Sequence, residues 1–323
     1  MSRKSTLSAL FAFAVFSLAF ASCKKFEGQS IPAYIHIERI VVDTATDYSV
    51  YGAPTHKITD AWVYVDDQII GCFELPATFP VLKKGPHKVA VYGGICRNGI
   101  AAARAPYPFY KPLIYKNLNL VEDSIVNLNP VLNYYSQDEG TTVAWMEDFE
   151  NSNTLVAEAE SDVSVVRVSG AEAWNSTSCT VPSYFSGKVE LPPDSLDFMI
   201  ATANEFDFYK NMNGVYCMLE MDYCCNDTFF VGVQYFKDFR LTTWPLVKVT
   251  PTDKEHAKPQ RWNKIYINIG PTMNDNYTAS YFKVYFTSDL TTEVDTLYGH
   301  YYHPISERRY YYFDNLKLLY RKL

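Results

Sequence analysis

Short runs in which Val, Ile, Thr and Tyr alternate with polar residues recur along the chain, cut at close intervals by Gly, Pro, Asn and Asp. The clearest run is Ala61-Trp62-Val63-Tyr64-Val65, followed by Asp66-Asp67 and then Gln68-Ile69-Ile70-Gly71-Cys72-Phe73-Glu74-Leu75. A period of two places alternate side chains on opposite faces of a strand, and an acidic turn pair between two such runs reads as a hairpin. Residues 34–42, 78–82 and 87–92 continue the pattern, with Lys83-Lys84-Gly85-Pro86 as a further turn. Past the first 22 residues no useful length of sequence carries the 3.6-residue period of an amphipathic helix. Tyr (26) and Phe (20) are dense, as half-buried strands require. The expected fold class is therefore all-β, with strands spaced as in sandwiches.

The N-terminus is separate from that pattern. Met1-Ser2-Arg3-Lys4 is basic, and an apolar run from Leu7 to Ala21 follows, broken only by Ser8 and Ser17. That run is shorter than the ~20 residues a spanning helix needs and has the build of a secretory signal. Phe20-Ala21-Ser22-Cys23 resembles a bacterial lipobox, with Phe where Leu is usual. The resemblance implies a signal peptide over 1–22, cleavage before Cys23, and lipidation of Cys23. An ordinary cleaved signal and an uncleaved helix are the alternatives. Several acyl chains anchor stably where one does not. Lys24-Lys25 follow the cysteine instead of the Asp that marks inner-membrane retention, so the outer membrane is the expected location, on either face. A net charge of −7 without a basic block argues against a nucleic-acid surface.

About 300 residues remain, enough for two domains. Residues 23–30 read as a lipidated tether and 133–142, polar and turn-rich, as a linker. Within 31–132, Trp62 to Gly71, Glu74-Leu75-Pro76 and Gly85-Pro86-His87-Lys88-Val89 resemble a small immunoglobulin-like or carboxypeptidase-regulatory-like domain. The stretch from Ile31 to Tyr135 is similar to the N-terminal part of lipoproteins of the Bacteroidota, a likeness that implies no activity. Pro106, Pro108 and Pro112 surround Tyr107, Phe109 and Tyr110. This segment either packs on the neighbouring domain, the preferred reading, or offers a rigid aromatic loop to a partner.

In 143–323, strand-like runs at 163–168, 187–191, 215–223, 229–236, 262–269 and 282–286 lie between Ala144-Trp145-Met146-Glu147-Asp148-Phe149-Glu150 and a terminal Tyr310-to-Tyr320 run. Glu147-to-Glu150, Trp262-Asn263-Lys264-Ile265-Tyr266-Ile267 and Phe313-Asp314-Asn315-Leu316 resemble galactose-binding-like jelly rolls, which include many carbohydrate-binding modules. That resemblance implies a second β-sandwich whose first and last strands are adjacent, often with calcium between them. Strand parity expects Asp314 on the side of Leu316 and Leu318, and Glu147 on the side of Trp145 and Phe149, so the two carboxylates converge. They are the calcium candidates, or else they tie strand ends through hydrogen bonds. A superfold does not fix a function.

Sugar binding needs aromatic faces flanked by polar groups. Trp174 and Trp244, both in loop-like contexts, are the first candidates, with Tyr184 and Tyr209 next, while Trp262 reads as a core residue. Six cysteines follow Cys23, of which Cys72 and Cys96 are the most plausible pair and buried free thiols the alternative. His36, His56 and His87 lack metal-ligand spacing, and His300 and His303, at i and i+3, point to opposite strand faces. No hydrolase or metalloprotease motif is present. Four Asp-(Ser/Thr)-apolar triplets, from Asp43 to Asp295, fit bacterial O-glycosylation. The leading expectation is a non-catalytic outer-membrane lipoprotein that binds glycans. The alternatives are an accessory subunit of an outer-membrane protein assembly and, last, a glycoside hydrolase.

Overall fold

The computed structural model describes residues 31–43, 48–159, 161–175, 181, 183–193, 197–207, 215–252, 261–288 and 308–322. Cys23 lies outside the described residues, as do Cys179, Tyr209, His300 and His303.

The chain is all-β. Its first strands are β1 (Ala33–Ile37), β2 (Val41–Val42), β3 (Asp60–Val65), β4 (Gln68–Glu74), β5 (Ala77–Val81), β6 (Gly85–Cys96), β7 (Arg104–Pro106), β8 (Leu113–Leu120), β9 (Ile125–Leu128) and β10 (Val131–Leu132). β3 and β4 form the expected hairpin, with Asp66 and Asp67 at φ 50° and 63°, the left-handed pair a two-residue turn requires. A sheet ordered β4-β3-β6-β7, with β8 also on β6, faces a sheet ordered β5-β1-β9. Ile35, Ile37, Phe79 and Val81 from one and Val63, Val65, Val89 and Val91 from the other share one hydrophobic cluster. Alternation along these strands produces that cluster, because every second side chain points inward.

The strands that follow are β11 (Thr141–Glu147), β12 (Leu155–Ala157), β13 (Val166–Ser169), β14 (Phe185–Leu191), β15 (Met199–Thr202), β16 (Tyr216–Cys225), β17 (Phe229–Lys237), β18 (Arg240–Val249), β19 (Asn263–Asn268), β20 (Tyr281–Ser288) and β21 (Arg309–Arg321). One sheet runs β13-β14-β21-β16-β19, with β11 sharing an edge of β21 with β14, and the other runs β12-β15-β20-β17-β18. The first and last strands of this half are thus antiparallel neighbours. Between the sheets lies a second cluster built from Leu219, Met221, Phe229, Val231, Ile267, Phe286, Phe313, Leu316 and Leu318.

β21 carries a bulge. Glu220 pairs with Lys317 but Asp222 pairs with Asp314, so three residues of β21 span two of β16, and Asn315 takes φ 49°. The extra residue reverses side-chain parity. Tyr311 and Phe313 face the inner cluster before it, and Leu316 and Leu318 face the same cluster after it.

The opposite face of this sheet is covered by the first sandwich. Met218, Tyr266 and Leu319 belong to the first sandwich's cluster, and Gly52 brings its backbone against Met146 and Lys317 at φ 64°, where a Cβ would fall 2.4 Å from the Met146 sulfur. The segment around Tyr107, Phe109 and Tyr110 packs there, all three nearly fully buried, as the preferred sequence reading expected. Its polar groups meet those of the sheet. Tyr107 donates to Glu220 Oε1 at 2.7 Å, Tyr134 donates to the same carboxylate at 2.9 and 3.1 Å, and Lys317 donates to the Ala53 carbonyl at 2.6 Å.

Candidate functional site

The covered sheet face is polar because of strand alternation. On β16, Leu219, Met221 and Tyr223 point into the inner core, which leaves Glu220 and Asp222 for the other face. On β19, Ile265 and Ile267 point inward, leaving Lys264 and Tyr266. Four ionisable side chains are thereby buried side by side: Glu220, Asp222, Lys264 and Lys317. Buried charge is tolerated only when paired and hydrogen-bonded. Lys264 Nζ lies 3.1 Å from Glu220 Oε2, donates to Thr55 Oγ1 at 2.9 Å, and is 3.9 Å from Asp222 Oδ1. Burial alone pushes Glu220 up, but Lys264, Lys317 and the Tyr107 hydroxyl outweigh it and hold its carboxyl below the usual range. Asp222 goes the other way. Burial raises it, and Lys264 offsets only part of that.

Where the first sandwich stops covering this face, a recess of about 220 Å³ opens. Trp174 and Trp262 supply its aromatic walls, Asp222 and Lys264 its charged walls, and His56, Lys57 and Asn263 the remainder. Trp174 follows a short 3-10 turn after β13 and is fixed by its backbone N–H, which donates to Ser186 Oγ at 2.8 Å. Trp262 immediately precedes β19 and packs edge-on to Tyr312, ring centroids 6.3 Å apart. Asp222 Oδ2 and Trp262 Nε1 are both buried and have no hydrogen-bond partner among the described residues. One is an acceptor and the other a donor.

A second cleft of about 450 Å³ lies beside the recess, with Lys57, Asn263 and Lys264 in the walls of both. Its far side is formed by Glu74 and Arg104, where the Arg104 guanidinium pairs with Asp60 and, at 3.0 Å, with Glu74. A third cleft of about 310 Å³ follows the seam elsewhere, lined by Tyr92, Tyr135 and Tyr216 and by Arg97 and Arg321.

The sequence candidates are not brought together. Trp174 is buried in the recess at 4% exposure. Trp244 is 53% exposed, in the other sheet, and belongs to β18 instead of a loop. The loop-like context came from Pro245 beside it. β18 is an edge strand, where the missing N–H breaks no ladder, and the strand shifts register at Gly232 to accommodate it. Tyr184 is 68% exposed, its backbone N–H donating to Glu150 at 2.7 Å. Cys72 and Cys96 are free, on β4 and β6 with β3 between them, as are Cys217 and Cys225.

The convergence expected of Glu147 and Asp314 fails because of the β21 bulge. Glu147 lies opposite Leu316, on the inner side, whereas Asp314 precedes the bulge and lies on the outer side with Asp222. Both carboxylates are already engaged. Glu147 accepts from the backbone N–H groups of Phe149 and Thr154 at 2.7 and 2.5 Å, and Asp314 accepts from Ser186 Oγ and from Asn315 N–H at 2.7 Å. These residues do not fit a shared calcium, which takes six to eight oxygens. Among the described residues no group of three or more His, Cys, Asp or Glu is placed to hold a metal ion.

Asp222, Lys264, His56, Lys57 and Trp262 carry no signal in the sequence that marks them as site residues. Alternating charges in a strand read as a solvent face, and only the packing of the two halves shows that this face is interior.

No family model matches the chain, and no curated protein matches it. Solved structures match parts of the chain at low similarity. The N-terminal CBM22-1–GH10 modules of xylanase 10B from Clostridium thermocellum, complexed with xylohexaose, match at 14% identity and TM-score 0.35 over 57% of this chain and 29% of that one. A family 11 carbohydrate-binding module from the same organism, with a mixed-linked tetrasaccharide, matches at 10% identity and TM-score 0.33, over 55% of this chain and 95% of that one. The mannan-recognising module TmCBM27 matches at 12% identity and TM-score 0.30, over 57% of this chain and 99% of that one.

Proposed function

We propose that this protein is a non-catalytic glycan-binding module that takes a sugar unit in the recess over Trp174 and Trp262. The observation that carries the reading is a recess walled by two indoles, Trp174 and Trp262, with the charged side chains Asp222 and Lys264 and the Asn263 amide beside them. A sugar presents adjacent hydroxyls, each able to donate and accept, on a ring whose C–H face packs against indole. The lipobox at Cys23 supports display from an outer membrane through a lipid anchor.

The test is a glycan array with the soluble chain from residue 24 onward, alongside Trp262→Phe and Asp222→Asn. Trp262→Phe keeps an aromatic wall and removes only the donor and part of the ring. Each variant should lose about tenfold or more in affinity, the value of one hydrogen bond to a buried polar group. Binding that both variants leave unchanged would place the sugar elsewhere, and no binding by a correctly folded chain would reject the reading.

A second reading, an accessory subunit of an outer-membrane assembly, has one observation in its favour. The β17–β18 hairpin exposes Phe239 at its tip (98%), with Leu241 and Trp244 exposed along β18. Mild-detergent purification tests it. A stoichiometric membrane partner lost on Phe239→Ser would support it, and a chain purifying alone would count against it.

A further inference from the structure

We propose that the glycan is acidic and lies along a continuous groove made of the recess and the adjoining cleft, with one anionic group held by Lys57. This rests on the sugar reading above and names the ligand class for the same site. Lys57, Asn263 and Lys264 line both cavities, so the two adjoin where Lys57 Nζ donates to Asn263 Oδ1 at 2.6 Å. A ligand longer than one sugar crosses the groove at Lys57.

The charges around the groove are unequally matched. Arg104 is held between Asp60 and Glu74, and Lys264 between Glu220 and Asp222. Lys57 has the neutral Asn263 amide and no carboxylate partner among the described residues. Partial burial holds its ammonium below the usual lysine range. His56 beside it is also held low, first by burial and then by the positive field of Lys264 and, more weakly, Arg39, against the opposing Pro54 carbonyl and Glu220. A partly desolvated cation facing a groove attracts an anion more strongly than one in bulk water. Lys offers a point charge with three donors, which suits a carboxylate or a sulfate ester equally.

The experiment compares matched pairs of short oligosaccharides on the full soluble chain: uronate-bearing against carboxyl-reduced, and sulfated against desulfated. Wild type should bind the acidic member of at least one pair about tenfold tighter than its neutral counterpart, as one charge-assisted hydrogen bond allows. Lys57→Met should bring the two members to within about twofold, and Lys57→Arg should restore most of the difference. The preference should weaken as salt rises, because the interaction is near the surface. Equal binding of acidic and neutral members, still dependent on Trp262, would overturn the acidic assignment and leave the sugar site standing. A preference unchanged by Lys57→Met would overturn the role of Lys57. No binding by any member would remove both proposals.

Discussion

The two faces of the β13-β14-β21-β16-β19 sheet are both buried along β16, β19 and β21 but differently built. Its inner face is apolar, with Leu219, Met221, Ile267, Phe313, Leu316 and Leu318 meeting the opposing sheet. Its outer face, made by the alternate residues of the same strands, is ionic and phenolic, with Glu220, Asp222, Lys264, Tyr266 and Lys317 against the first sandwich. An apolar face is indifferent to small gaps in hydrogen bonding. An ionic face must satisfy each group. Where the covering layer ends, Asp222, Lys264 and Trp262 line a recess. The junction of the two sandwiches thus carries charged and aromatic groups at its margin, the ones the proposed site uses.

Glu220→Ala should upset this division of labour most severely. It removes the carboxylate whose charge offsets the buried ammonium groups of Lys264 and Lys317, and should cost about 3–5 kcal/mol in urea unfolding, the usual penalty for removing one partner of a buried ion pair. A loss under about 1 kcal/mol would show that the outer face is wet and the two sandwiches not packed as described. Leu316→Ala tests the inner face, with an expected cost of about 2–4 kcal/mol and, in contrast to Glu220→Ala, no dependence on pH. A Leu316→Ala penalty that changed with pH would show that the two faces are not energetically separate.

A smaller effect concerns Asp314. Burial holds its carboxyl well above the usual range, with the Asp222 charge adding to the rise and Ser186 opposing it. An acid raised in the folded state keeps its proton there after the unfolded chain has lost it. Its contribution to stability is therefore full below the unfolded value near pH 4 and falls as pH rises toward the folded value. Over that window one extra proton is bound by the folded chain, and stability declines by on the order of 1 kcal/mol for each tenfold fall in proton concentration. Asp314→Asn should flatten this decline above about pH 4. An unchanged slope in chemical denaturation at several pH values would contradict the assignment.

Strand positions are legible because they depend on local alternation. The hairpin at Asp66-Asp67, the runs that form β14, β16, β17, β19 and β20, and the pairing of first and last strands all follow from residues near one another or from the resemblance. Asp314 escapes that logic because a single bulge residue, Asn315, reverses parity without a turn signal such as Gly or Pro. Local context makes Trp262 a core residue and Trp174 a loop aromatic, either packed under its loop or offered to a sugar, yet they share one recess. Only the packing of residues 53–57 and 107–134 over β16 and β19 distinguishes a solvent face from a buried ionic one, and that contact joins positions up to 264 residues apart. The pattern Glu220-Met221-Asp222-Tyr223 beside Lys264-Ile265-Tyr266-Ile267 carries the complementary charges, but periodicity does not say that they meet.

Whether the recess over Asp222 and Trp262 takes a sugar is best decided by indole N–H NMR of the 15N-labelled chain during titration with an acidic oligosaccharide. Five tryptophans give five indole resonances, assigned by single substitutions such as Trp262→Phe. The Trp262 resonance should move furthest downfield and saturate, Trp174 should follow it, and Trp62, Trp145 and Trp244 should stay in place. A saturating shift at Trp244 with none at Trp262 would contradict a sugar site in the recess.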